Sequence, residues 1–384
     1  MSKRIYMDYA ATTFLREEVI EEMNPFLNEF FGNPSGIHEF ARVTKNAIEK
    51  AREDVSKALH CQRKEIFFTS GGTESNNWAI KGVAFANMKK GKHIITTKIE
   101  HHSVLYTCKY LEGHGFKVTY LDVEKDGRVN IDQLKKALID KTILVTIAFA
   151  NNEIGTIQDI EKISELCHER NIIFHTDAIQ AIGKVDVSLD KYKFVNLLSI
   201  SGHKIYGPKG IGILYIKEGT QIENYIHGGS QEKGRRSGTE NVHGIVGIAK
   251  AMELVCMEIE KENKRLTELR DYMIEKILKD IPNSKINGSI TNRLNNNINV
   301  CFKGIEDEGI LLSLDLKGIC ASSGSSCNSG SINSSHVLQA IGISPIEAQG
   351  SVRFTLGKNT TKEEIDYVIN VLKEVVNRYR DVVF

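Results

Sequence analysis

The stretch Phe68-Thr69-Ser70-Gly71-Gly72-Thr73-Glu74-Ser75 changes character halfway along. The apolar run Glu65–Ser70 has the length and residue types of a buried strand, whereas Glu74–Asn87 repeats its apolar positions at helical spacing. Two glycines and a hydroxyl residue join them. A strand that enters a helix this way gathers free backbone N–H groups and the positive end of the helix dipole at one spot, which suits a phosphate. Glycine lets the backbone approach such a group closely. An ordinary tight turn with Thr73 as helix N-cap would use the same residues. No Gly-Lys-Ser/Thr follows at the spacing of a Walker loop, so a P-loop is excluded.

The same alternation extends on both sides. Strand-like runs recur at His93–Thr97, Lys117–Leu121, Ile143–Phe149, Ile172–His175, Leu197–Ile200 and Gly212–Ile216. Helix-period stretches lie between them at Ser103–Gly113, Asp132–Leu138 and Asp159–Arg170. This pattern predicts an α/β domain around a mostly parallel sheet, with ligands at the carboxyl ends of its strands. A charged helical segment near Ile245–Ile281 leads to fewer elements: strands Asn297–Phe302 and Ser351–Leu356, and helices near Asp307–Leu316 and Lys362–Arg378. We therefore expect an N-terminal arm (1–14), a large domain (15–255) and a smaller α+β C-terminal domain (256–384).

The 384 residues are 41% hydrophobic and 26% charged, and 50 Lys+Arg against 49 Asp+Glu leave a net charge of +1. That balance gives no reason to expect nucleic acid or an acidic membrane as partner, and points to a small ligand. No apolar run is long enough to span a membrane, and the N-terminus has no secretory h-region. Seven scattered cysteines without a C-x-x-C pair indicate neither a disulfide framework nor a zinc site, which fits a reducing cytoplasmic setting.

Two further strand ends carry chemistry. Ser201-Gly202-His203-Lys204 follows Leu197–Ile200, where a lysine could become a desolvated nucleophilic amine or remain a solvated loop residue. Asp177 ends the run before it, and could pair with a ring-nitrogen cation or cap a helix. Together, a phosphate cradle, then an Asp, then a Lys make the order expected of a fold-type-I pyridoxal 5'-phosphate (PLP) enzyme. PLP needs an amine to link to, an anion at its pyridine nitrogen and an anchor for its phosphate.

Motifs in matching order run along nearly the whole chain. They include Tyr6–Thr13, Gly32-Asn33-Pro34-Ser35, the glycine turn, Glu100-His101-His102-Ser103-Val104 and Asn151-Asn152-Glu153-Ile154-Gly155. Ser201–Gly207, Arg236-Ser237-Gly238-Thr239-Glu240-Asn241, Cys327 and Val352-Arg353-Phe354 complete the set. The chain resembles the NifS/IscS-type cysteine desulfurases of the class V aminotransferase group, with Glu232–Arg236 somewhat closer to the NifS branch. The resemblance implies a fold-type-I transferase with a seven-stranded, mostly parallel sheet. It implies that Lys204 forms the aldimine with PLP, that His101 stacks on the ring and aids proton transfer, and that Asp177 and Gln180 bond the pyridine nitrogen and phenolic oxygen. Gly72, Thr73, Ser201 and His203 would hold the phosphate, with Thr239 reaching across a homodimer to the other subunit's phosphate. Arg353, assisted by Asn152, would grip the substrate carboxylate, for which a guanidinium fork is well shaped.

Cys327 separates a desulfurase from other PLP enzymes. It lies in Ser322-Ser323-Gly324-Ser325-Ser326-Cys327-Asn328-Ser329-Gly330-Ser331, a composition that predicts a mobile loop and not a core. An exposed loop thiol is a liability unless it reacts. The expected reaction converts L-cysteine to L-alanine, with the sulfur held as a persulfide on Cys327 for acceptor proteins such as an iron–sulfur scaffold or a tRNA-thiolation enzyme. A selenocysteine lyase or other PLP lyase is the alternative enzyme reading, and a PLP-stabilised sulfur-relay scaffold the non-enzymatic one. Metal is not expected, because the adjacent His101 and His102 make poor joint ligands.

Overall fold

The computed structural model describes residues 4–323 and 335–382. After a short β1 (Ile5–Tyr6), the chain builds a central sheet from seven strands. These are β2 (Ile66–Thr69), β3 (His93–Thr97), β4 (Lys117–Leu121), β5 (Thr142–Thr146), β6 (Ile173–Asp177), β7 (Leu197–Ser201) and β8 (Gly212–Ile216). Their order is β2-β8-β7-β6-β5-β3-β4. Only the β8 pairings, with β2 and β7, are antiparallel. The seven-stranded, mostly parallel α/β architecture read from the sequence is present.

Side chains alternate across the pleat, so neighbouring residues serve opposite layers. Ile66, Phe68, Leu198, Ile200 and Ile213 face one core, with Val55, Ile163 and Met252 from the helices. Phe67, Leu197 and Leu214 face the other, which contains the fully buried Trp78. Burial on both faces explains why these strands read as continuous apolar runs. The expected run Ile143–Phe149 outlasts its strand: Ile147 and Phe149 are buried in the loop after β5, and the Phe149 N–H donates to the Asp177 carbonyl at 2.8 Å. Burial there comes without a ladder.

The expected helical segment 245–281 is two helices, Val242–Met257 and Ile259–Asp280, broken at Glu258. Ile245, Ile248 and Met252 of the first pack under the large sheet, whereas Leu266, Met273 and Ile277 of the second enter a separate core. That core lies beside β9 (Ser284–Ile286), β10 (Asn297–Phe302), β11 (Ile319–Cys320), β12 (Ser322–Ser323) and β13 (Ser351–Thr355). Four of these form an antiparallel sheet in the order β12-β13-β10-β9. The N-terminal strand β1 pairs in parallel with β11, and Met7 is buried in this second core. No helix among the described residues is long and apolar enough to cross a membrane.

Candidate active site

A cavity of about 270 Å³ opens at the carboxyl ends of β2, β6 and β7, where an α/β sheet collects its ligands. Gly71 is the N-cap of the helix Gly72–Asn87, with φ 153° and ψ −179°, a conformation essentially confined to glycine. Gly72 packs closely, since a Cβ there would stand 2.1 Å from Ile179 Cδ1 and that side chain would have to shift to admit it. No side chain caps this helix, and Thr73 lies in its first turn instead of at the cap. The first-turn N–H groups therefore have no intrahelical acceptor, and Gly72 and Thr73 line the cavity together with Ser201 and His203. Burial pushes the His203 imidazole down to about 4, with Lys204 and Lys209 acting in the same direction.

Asp177, the last residue of β6, is held on both carboxylate oxygens. Asn76 Nδ2 donates at 2.7 Å and the Ile179 N–H at 3.0 Å. Asn76 also donates to Ser103 Oγ at 2.8 Å, which stands 2.8 Å from His101 Nδ1. The Ser103 N–H donates to the same Nδ1 at 3.1 Å, so the neutral ring carries its proton on Nε2. Burial lowers the His101 pKa; Asp177 opposes this, and Lys204 and His102 add to it. Asn76 is not marked by any motif in the sequence, and Ser103 stands in the Glu100–Val104 motif without a role of its own. The available signal was spacing, since Asn76 lies three residues after Thr73 on one helix face.

Lys204 ends the short turn Gly202–Lys204 after β7. Its Nζ donates to the carbonyls of Ala10 and Ala11, each at 2.6 Å. Gln180 Nε2 donates to the same Ala10 carbonyl at 3.0 Å. The N-terminal arm thus supplies acceptors that no side-chain motif announces.

Arg353 enters from β13, 1% exposed. Its Nη1 donates to the Asn152 carbonyl at 3.0 Å and its Nη2 to Asp8 Oδ1 at 2.9 Å. Its Nε is buried without a hydrogen-bond partner. A guanidinium on the cavity wall suits an incoming carboxylate. Two buried acids stand behind that wall. Burial pushes Glu100 up to about 8, although Thr97 and the Ala148 N–H donate to it, and pushes Glu153 up to about 7.

Cys327 lies outside the described residues, but both neighbouring ends are placed. Ser322 of β12 pairs with Arg353, Ser335 Oγ donates to Glu153, and His336 Nε2 is 3.0 Å from the Glu100 carbonyl oxygen. Burial raises the pKa of the Cys61, Cys108, Cys167, Cys256 and Cys301 thiols, as expected of inert core residues.

The expected site residues converge on this one cavity except Cys327 and Thr239. Thr239 is exposed and does not line it. It follows a turn in which Glu232, Lys233 and Gly234 all have positive φ, at 45°, 59° and 75°. Left-handed backbone costs a non-glycine residue about 1–2 kcal/mol.

Residues 5–368 match the aminotransferase class-V family. A "Cysteine desulfurase IscS" of Dictyoglomus turgidum is 56% identical over 383 residues, covering 100% of this chain and 97% of that one. A solved structure titled "NIFS-LIKE PROTEIN" superposes with a TM-score of 0.92 at 40% identity, covering 98% of this chain and all of that one. Another, titled "SspA in complex with cysteine", superposes with a TM-score of 0.81 at 40% identity, over 92% of this chain and 99% of that one.

Proposed function

The chain belongs to the class-V aminotransferase family, and from that premise we propose that it is a PLP-dependent cysteine desulfurase whose sulfur-accepting thiol is Cys327. The observation that carries this reading is the meeting, in one cavity, of an amine, a pinned carboxylate, an uncapped helix N-terminus and a buried guanidinium. Bound PLP would supply an electron sink for the substrate's α carbon. The residues fit that group. Gly72, Thr73, Ser201 and His203 would hold its phosphate, Asp177 its ring nitrogen and Gln180 its phenolic oxygen. Thr239 from a second copy would add a further phosphate contact, making the working unit a homodimer.

Arg353 would take the cysteine carboxylate, using N–H groups that Asp8 and Asn152 leave available. Asn152 itself lines the cavity. Lys204 would leave the Ala10 and Ala11 carbonyls to move the α proton, with the Nε2–H of His101 as a second proton carrier. The Cys327 thiolate would then attack the substrate sulfur. An S–S bond forms, the substrate C–S bond breaks, and its electron pair stays on the carbon that becomes the methyl group of alanine after protonation. The persulfide would serve acceptor proteins for iron–sulfur cluster assembly or tRNA thiolation, in the cytoplasm.

Incubation with L-cysteine should yield alanine together with a protein persulfide. Cys327→Ala should lose sulfide release by about 10² or more while still binding cysteine, since an absent nucleophile leaves binding intact. Equal release from both proteins would remove the persulfide role. A protein that stays colourless in added PLP would overturn the whole reading.

A further inference from the structure

The left-handed turn Glu232–Gly234 does not line the cavity, yet it is held as firmly as the groups that do. Glu232 and Arg52, both side chains 3% exposed, form a two-bonded ion pair at 2.7 and 2.8 Å. The same pair grips the edge strand β2: Arg52 donates to the Ile66 carbonyl at 2.8 Å, and Glu232 accepts the Phe68 N–H at 2.9 Å. Successive positive φ values at non-glycine residues persist only where the surroundings over-determine them, and they cluster at functional segments.

Past the turn the chain is pinned again. Arg236 pairs with Glu74 of the glycine turn at 2.8 and 3.1 Å, and the Gly238 N–H donates to Gln231 Oε1 at 3.1 Å. Glu74 also accepts the Ser70 N–H at 2.7 Å. The next residue, Thr239, is exposed. The constraints thus end one residue before a hydroxyl that faces out of its own subunit.

We propose that Glu232 is a positioning residue for the neighbouring active site: it locks the left-handed turn against β2, and so aims Thr239 at the cofactor phosphate of a second copy. The proposal rests on the PLP reading given above. A capping role for the β2 edge alone would confine any effect of Glu232 to its own chain.

Tagged heterodimers separate the two cases. One chain carries Lys204→Ala, so only the other chain's site can develop the cofactor colour. Glu232→Gln on the Lys204→Ala chain should speed loss of PLP from the intact chain about tenfold, the weight of one charge-assisted hydrogen bond. Glu232→Gln on the intact chain should leave that rate nearly unchanged. Adding Lys233→Gly beside Glu232→Gln should recover part of the loss, because glycine adopts φ near +59° without strain. An effect confined to the chain bearing Glu232→Gln, or equal in both arrangements, would overturn the proposal. Should that variant fail to assemble, Arg52→Lys, which keeps the charge, is read by the same comparison. A wild-type/Lys204→Ala heterodimer without cofactor colour would instead sink the PLP reading itself.

Discussion

The floor of the cavity and its Arg353 wall are built by opposite means. The floor comes from strand ends of one mostly parallel sheet, each at or within a few residues of its functional group: Gly72 after β2, Asp177 at the end of β6, Lys204 after β7. Arg353 instead points from the middle of an antiparallel strand, and its ion pair reaches 345 positions back to Asp8. A strand end offers a group free backbone and open space, so local sequence is enough to place it. A mid-strand arginine must be desolvated and then matched by groups from elsewhere. The floor can therefore be recognised residue by residue, whereas the wall exists only once distant segments have met.

The largest effect should come from the floor. Lys204→Ala should abolish the cofactor colour and reduce alanine formation by at least about 10²–10⁴-fold, the usual weight of a lost proton carrier. Colour retained at wild-type intensity would break the assignment of the floor. On the wall, Arg353→Lys keeps the charge but loses the fork, and should raise the KM for cysteine about ten- to a hundredfold. A change confined to kcat would mean that Arg353 does not bind the ground-state carboxylate.

Asp8→Asn tests whether the wall depends on its distant partner. The buried guanidinium would lose its counterion, so the ligand-free protein should lose about 1–3 kcal/mol of stability. Alanine, by bringing a carboxylate, should restore more of the melting temperature than it adds to the wild type. Identical ligand shifts in both proteins would separate Asp8 from substrate binding.

The smallest effect should come from Glu153. Burial lifts its carboxyl from an ordinary 4.5 to about 7, so its contribution to stability is full below pH 4.5 and is lost as pH rises through about 7. Glu153→Gln should flatten the fall in melting temperature over that window and leave the acid side little changed. A parallel fall in both proteins would mean that this carboxyl is ionised throughout.

The same contrast explains what could be read in advance. The large sheet announced itself through apolar runs that keep both faces buried, and Gly72, Asp177 and Lys204 through their place after those runs. Strands of two residues, β1, β11 and β12, are shorter than any periodicity can register. The Ala10 and Ala11 carbonyls that hold Lys204 belong to the backbone and have no residue-type signature. Asn76 is hidden for another reason: it looks like an ordinary helix polar residue until the fold brings it, with Ser103, between Asp177 and His101.

The pairing of β1 with β11, and of Asp8 with Arg353, also fixes a timetable. Ile5 to Asp8 find their strand and ion-pair neighbours only after residues 319–355 have been made. The large sheet can condense earlier, since its strands end at Ile216. Until then the arm is held from Ala10 onward, where Lys204, Gln180 and His203 meet it, while Asp8 and Arg353 are still apart. Competence to hold substrate therefore arrives late in synthesis, when residues 5–8 meet residues 319–355, and a nascent chain with a finished sheet is still an unfinished enzyme.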